Sequence, residues 1–149
     1  MNEFETSLNS LLADTFNYIL RFEESSLKGI SNMSVTVAEA HALEAIGRQN
    51  DNITVSEIAA ALDIAVPTAT VAVRRLEEKH YIVKTACPKD ARRSMLSLTE
   101  QGKKVNRAHE LFHRRMVRNV SREFTDAERE VLLRAIQKLS GFFKEKVEA

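Results

Sequence analysis

Apolar residues recur at helical spacing along most of this chain, and the pattern switches to alternation only once. Phe4, Leu8, Leu11, Leu12, Ile19, Leu20 and Phe22 predict a long helix over 3–28, which Gly29 ends. Ala40, Leu43, Ile46 and Gly47 mark the inner side of a second helix, from about Thr36 to Arg48. Asn50, Asp51 and Asn52 read as a turn. Thr54 and Glu57 form a capping-box signature that opens a short helix over 55–62, with Ile58, Ala59 and Leu62 inward.

Asp63, Ile64 and Ala65 predict the next turn. Pro67 suits the first turn of the helix after it, where a missing N–H costs nothing. Ala69, Ala72, Val73 and Leu76 pack that helix, which runs to about Lys79. Two short helices across a tight turn make a helix-turn-helix. Strand character follows over 81–86 and 94–98 around a turn at Cys87–Asp90, so a hairpin wing with Arg92 and Arg93 at its tip is expected. A long helix starts at Thr99 and reaches Arg122. A second capping box, Thr125 to Glu128, opens a final helix with Val131, Leu132, Ala135, Ile136, Leu139, Phe142 and Phe143 at helical spacing.

The fold expected is mainly α with a small β-wing: a winged helix-turn-helix between long N- and C-terminal helices that form a dimerisation domain. Its parts are dimerisation helices at 1–34 and 123–149, a DNA-binding winged helix-turn-helix at 35–102, and a long linking helix at 103–122. Three long amphipathic helices around a small head leave apolar surface to bury, which a second copy of the chain would cover.

Composition narrows the class. In 149 residues, 44% are hydrophobic, enough for a core, while 4 Gly and 2 Pro disfavour an all-β fold. No apolar run approaches membrane length and no secretory leader is evident; a single Cys rules out an internal disulfide. A cytoplasmic protein is expected, with Cys87 as a small packed residue. Charge is segregated: residues 1–63 carry 3 Lys/Arg against 10 Asp/Glu, whereas residues 64–118 carry 13 against 5. Cations gathered on the reading head are the footprint of a nucleic-acid binder.

A recognition helix sends its N-terminal residues into the major groove. Here those are Pro67, Thr68, Thr70 and Val71, with Arg74 and Arg75 one turn on, in reach of a guanine edge or of phosphates. Arg92 and Arg93 suit a narrow minor groove, and Asp90 is placed to orient the Arg92 guanidinium. The partners expected are an operator duplex and a second copy of the chain. No P-loop, GxGxxG or HExxH is present, so an enzyme is not expected. An interaction module that has lost DNA binding fits the basic residues poorly.

The residues resemble the MarR family of dimeric winged-helix regulators. Asp90, Arg92, Leu98, Thr99 and Gly102 fill its Asp-x-Arg-x5-Leu-Thr-x2-Gly wing pattern, and 58–62 with 68–79 match its helix-turn-helix block. Ala65 stands where the family often has Ser, and His80 where it often has Gly, which implies a non-glycine residue in a strained helix-end conformation. The resemblance implies a homodimeric regulator, a repressor, on a pseudo-palindromic operator.

Within the family, Glu23-Glu24, Leu27-Lys28, Glu39, His41, Ile46-Gly47, His109, Phe112-His113 and Met116-Val117 are similar to the branch that represses fatty-acid synthesis. That implies a long-chain acyl effector in a cavity between the first, second and fifth helices. The alternative is zinc. His109 and His113 share a helix face, and with His41 and Glu24 (or Glu23) they offer three imidazoles and a carboxylate, a tetrahedral zinc set. The same set resembles the zinc-responsive branch of the family.

Overall fold

Helix starts in this chain are written in side chains that satisfy otherwise orphaned amides. The computed structural model describes residues 1–30, 34–49 and 52–149. Helix α1 spans Glu3–Lys28, α2 Val37–Arg48, α3 Val55–Leu62 and α4 Val66–Glu78. Strands β1 (Ile82–Cys87) and β2 (Asp90–Leu98) follow, then α5 (Glu100–Arg122) and α6 (Asp126–Glu148). Complete capping boxes open α1 at Asn2, α2 at Thr36 and α6 at Thr125. At α3 the Thr54 hydroxyl accepts the Glu57 amide at 3.3 Å. Helix α4 has no side-chain cap, as Ala65 implies, and relies on proline in its first turn. The turn expected at Asn50 and Asp51 lies outside the described residues.

Residues Met1–Glu110 form one compact unit and Leu111–Ala149 another. The core of the first is built where α2, α3, α4 and the wing meet. Leu43 and Ile46 of α2, Ile58 and Ala59 of α3, and Ala69, Val73 and Leu76 of α4 are fully buried with Ile82, Leu96 and Val105. Each large aliphatic side chain so buried contributes about 1.5–3 kcal/mol. Helices α3 and α4 meet at a bend of 114°, within the helix-turn-helix range. Asp63, at φ 53°, makes the left-handed residue between them, a conformation short polar side chains tolerate. No single helix among the described residues is long and apolar enough to cross a membrane.

The wing is a two-stranded antiparallel sheet in which Ile82 faces Leu98 and Ala86 faces Ser94. It is fastened to the head by a lone bridge: the Leu96 amide donates to the Ile53 carbonyl at 2.8 Å, immediately before the α3 cap. The expected turn is narrower than the sequence suggests. Pro88 and Lys89 alone make it, and Asp90 already pairs with Cys87. The register then shifts, so Ala91, Arg92 and Arg93 fall outside the paired ladder. The two arginines therefore stand on a bulge of β2 and not at the tip itself. Bulges re-aim side chains in this way.

His80 closes α4 at φ 62°, the strained conformation its place in the sequence implies. Its amide and that of Tyr81 reach back to the Glu77 and Leu76 carbonyls, both at 3.0 Å. Lys79 adds a tie the sequence does not announce. Its ammonium meets buried Glu39 and the Ser34 carbonyl, each at 2.7 Å, and locks the end of α4 to the start of α2.

The second unit holds the end of α5 and all of α6. The Arg129 guanidinium donates to the Ser121 carbonyl at 2.9 Å and fixes the turn between them. No residue of α6 is buried. Val131, Leu133, Ile136, Phe142 and Phe143 are all exposed. Helix α1, in the first unit, exposes Phe4, Leu11, Phe16, Ile19 and Phe22.

Candidate nucleic-acid interface

Helix α4 divides cleanly into two sides. Ala69, Val73 and Leu76 are sealed into the core, which leaves Pro67, Thr68, Thr70, Val71, Arg74 and Arg75 in solvent. These six exposed residues are the ones sequence reasoning assigned to the groove. The Thr70 hydroxyl donates to the Val66 carbonyl at 2.9 Å, so toward a base it offers lone pairs and a methyl group. Arg74 and Arg75 have no ion-pair partner among the described residues. Neither Glu77 nor Glu78 pairs with Arg75; Glu77 instead lies 3.8 Å from Lys84 of β1.

On the wing, Arg92 and Arg93 are exposed. Asp90 does not hold the Arg92 guanidinium. Its carboxylate accepts the Arg92 backbone amide at 3.0 Å, a local turn contact typical of Asp. The reason is reach: two residues apart on a bulge, the amide is nearer than the side chain's far end. Both guanidinium groups are left without a counter-charge in the described residues, so the head presents four unneutralised arginines.

The helix that follows the wing is held by one motif residue at a time. Thr99 donates from its hydroxyl to the His80 carbonyl at 2.7 Å and accepts the Gly102 amide at 3.1 Å. A Cβ on Gly102 would fall 2.1 Å from the Tyr81 carbonyl oxygen. Leu98 is buried in the core. The family-like wing pattern is thus a joint: Leu98 anchors, Thr99 caps, and Gly102 permits contact.

The imidazole cluster is partly assembled. The His41 and His109 Nε2 atoms both point at one Glu23 oxygen, at 3.1 and 2.7 Å. Glu23 and His109 are 5% and 1% exposed, whereas the His41 side chain is 42% exposed, so the network runs from the interior to the surface. The carboxylate is that of Glu23, not Glu24. Residues 23 and 24 lie about 100° apart on α1, and Glu24 faces solvent. His113 stands one turn beyond His109 on α5. The meeting place of α1, α2 and α5, expected to hold an acyl chain, carries this polar network. A cavity of about 550 Å³ opens instead between α2, α3 and α4, with Ala42, Ile58, Leu62, Val71 and Ala72 in its wall and Thr68 and Arg75 among its lining.

Residues 33–93 match the model of the MarR family. The HTH-type transcriptional repressor MdtR of Bacillus subtilis (strain 168) is 28% identical over 102 residues, 68% of this chain and 61% of that protein. The match thus spans less than two thirds of that repressor. Streptococcus pneumoniae FabT, solved in complex with DNA, superposes with a TM-score of 0.87 at 28% identity over 95% of this chain and 98% of its own. The Lactococcus lactis protein ZitR, a zinc-responsive MarR family member, shares the fold at a TM-score of 0.68 and 24% identity over 91% of this chain and 99% of its own. Residues 33–93 thus match the MarR family, and the chain as a whole shares the fold of FabT.

Proposed function

We propose that this protein is a MarR-family DNA-binding transcription regulator that acts as a homodimeric repressor on a pseudo-palindromic operator. One observation carries the reading: the exposed side of α4, beside an unneutralised wing, presents the residue types that read base edges and phosphates. Thr68, Thr70, Val71, Arg74 and Arg75 enter the major groove, and Arg92 and Arg93 flank it on the backbone or minor-groove side. The bare apolar sides of α1 and α6 support a dimer, because a second copy would remove them from water. Two heads would then engage successive major grooves, roughly 34–36 Å apart. Anisotropy titration of the purified chain on duplexes recovered by in vitro selection tests the reading. Nanomolar, strongly salt-dependent binding is expected.

The effector reading is a long-chain acyl group. The α2–α3–α4 cavity supports it: much of its wall is apolar, the volume suits a small molecule, and the lining shares Thr68, Val71 and Arg75 with the exposed side of α4. An occupant there would alter operator affinity directly.

A second reading, zinc, is favoured by the Glu23–His41–His109 convergence. Two imidazole nitrogens within reach of one carboxylate oxygen are donor types that zinc accepts. Zinc there would supply cross-linking of α1, α2 and α5.

A further inference from the structure

We infer that the α2–α3–α4 cavity selects a neutral occupant whose head donates a hydrogen bond to Glu39: an apolar amide or alcohol, and not a free acid. The inference rests on the effector reading for this cavity. It adds the chemistry of the head group and the residue that chooses it.

Glu39 lies in the first turn of α2 and is 2% exposed. Its two oxygens are used unequally. As the N3 residue of the α2 capping box, it reaches back to the Thr36 amide, which donates to Oε2 at 3.1 Å. The Lys79 ammonium, tied also to the Ser34 carbonyl, donates to the same Oε2 at 2.7 Å. Oε1 is buried and has no hydrogen-bond partner among the described residues. A buried acceptor left unpaired carries its full cost of desolvation. Glu39 also lines the cavity, with Ala42 beside it on α2, Ile58 and Leu62 on α3, and Ala72 on α4. Oε1 is therefore the atom left to meet an occupant.

The charge of the carboxylate is already balanced by Lys79. Oε1 lacks a donor, not a second cation. An amide N–H or a hydroxyl supplies that donor. A carboxylate head has only acceptors and would face Glu39 as a like charge. An alkylammonium donates, but it gives up its hydration for a charge that Lys79 has already answered. The volume of about 550 Å³ and the aliphatic wall accept an alkyl chain behind the head. Arg75 lines the cavity too, yet it is exposed, and solvent weakens its hold on an anion. Within the acyl class, an acyl amide fits this lining and the free fatty acid does not.

The experiment is calorimetric titration of the full-length protein with probes of one chain length: octanamide, N,N-dimethyloctanamide, octanoate and octylammonium. The dimethyl amide is neutral but has no N–H to give. Wild type should bind octanamide about tenfold more tightly than each of the others. Glu39→Gln keeps an oxygen for Thr36 and Lys79 and turns an NH2 toward the cavity. It should bind octanamide and its dimethyl analogue alike, a change that a merely structural role would not produce. Ala72→Phe, which fills the cavity, should abolish binding of octanamide. Circular dichroism certifies the fold of each variant, and the wild-type ranking decides the matter even if Glu39→Gln does not fold.

A dimethyl amide that binds wild type as tightly as octanamide, or a folded Glu39→Gln that keeps the wild-type ranking, would overturn the role of Glu39 and leave the effector reading standing. Octanoate as the tightest probe, weakened by Arg75→Ala, would place the head at Arg75 and overturn the donor assignment. Octylammonium as the tightest would overturn the neutral head. A wild type that binds none of the probes would overturn both the inference and the effector reading.

Discussion

Gly102 and Tyr81 touch where α4, the wing and α5 are joined: a methyl group on Gly102 would lie 2.1 Å from the Tyr81 carbonyl oxygen. The obstacle is backbone, and the same carbonyl accepts the Thr99 amide at 3.0 Å, so it cannot easily retreat. Gly102→Ala should therefore push the start of α5 off the strand entry. A loss of about 1–3 kcal/mol is expected from overpacking of this kind. Chemical denaturation measures it, and a variant as stable as the wild type would contradict the joint.

His80 offers the opposite change. It holds a left-handed conformation at φ 62° where glycine would carry no Cβ penalty. His80→Gly should stabilise the chain by about 0.5–1 kcal/mol, less whatever the unfolded chain gains in freedom. A melting temperature that falls would show that the His80 side chain makes a compensating contact.

The arginines of the head should separate by role. Arg92→Ala should weaken operator binding by about 1–3 kcal/mol, uniformly across operator variants and without altering the oligomeric state. Arg75→Ala should cost a similar amount and relax preference at one base position if α4 reads base edges as proposed. Binding measured at matched salt checks both. Unchanged affinity for Arg92→Ala would remove the wing from the interface.

The imidazole cluster makes a claim that needs no DNA. If zinc is its ligand, purified protein should hold about one zinc per chain, and added zinc should raise the melting temperature. His109→Ala should abolish both effects, and Glu24→Gln should leave them intact, since Glu24 faces solvent. Elemental analysis with no zinc, and no thermal response to it, would leave the network as a hydrogen-bonded one.

How far the sequence could be read follows from how local each signal is. The helices were legible because their periodicity and caps lie within a few residues; Thr54 and Thr125 mark two of their starts by chemistry alone. The His80 strain was legible through the family resemblance, which puts glycine at that helix end. The exposed set on α4 followed from its burial period. What escaped notice depends on distant partners. The Lys79–Glu39 tie joins residues 40 apart, and the choice of Glu23 over Glu24 depends on the rotation of α1. The wing bulge escaped because the register is set by the partner strand. Without it, Arg92 and Arg93 read as tip residues.

The most direct test counts chains on DNA. Duplexes recovered by in vitro selection should contain inverted half-sites with centres one helical turn apart, and sedimentation should find two chains on each at micromolar concentration. Disruption of α6 by Ile136→Asp and Phe143→Asp should yield monomers that lose this binding. A wild-type chain that stays monomeric, or selection that yields no inverted repeat, would contradict a twofold regulator reading its operator through α4 and the wing.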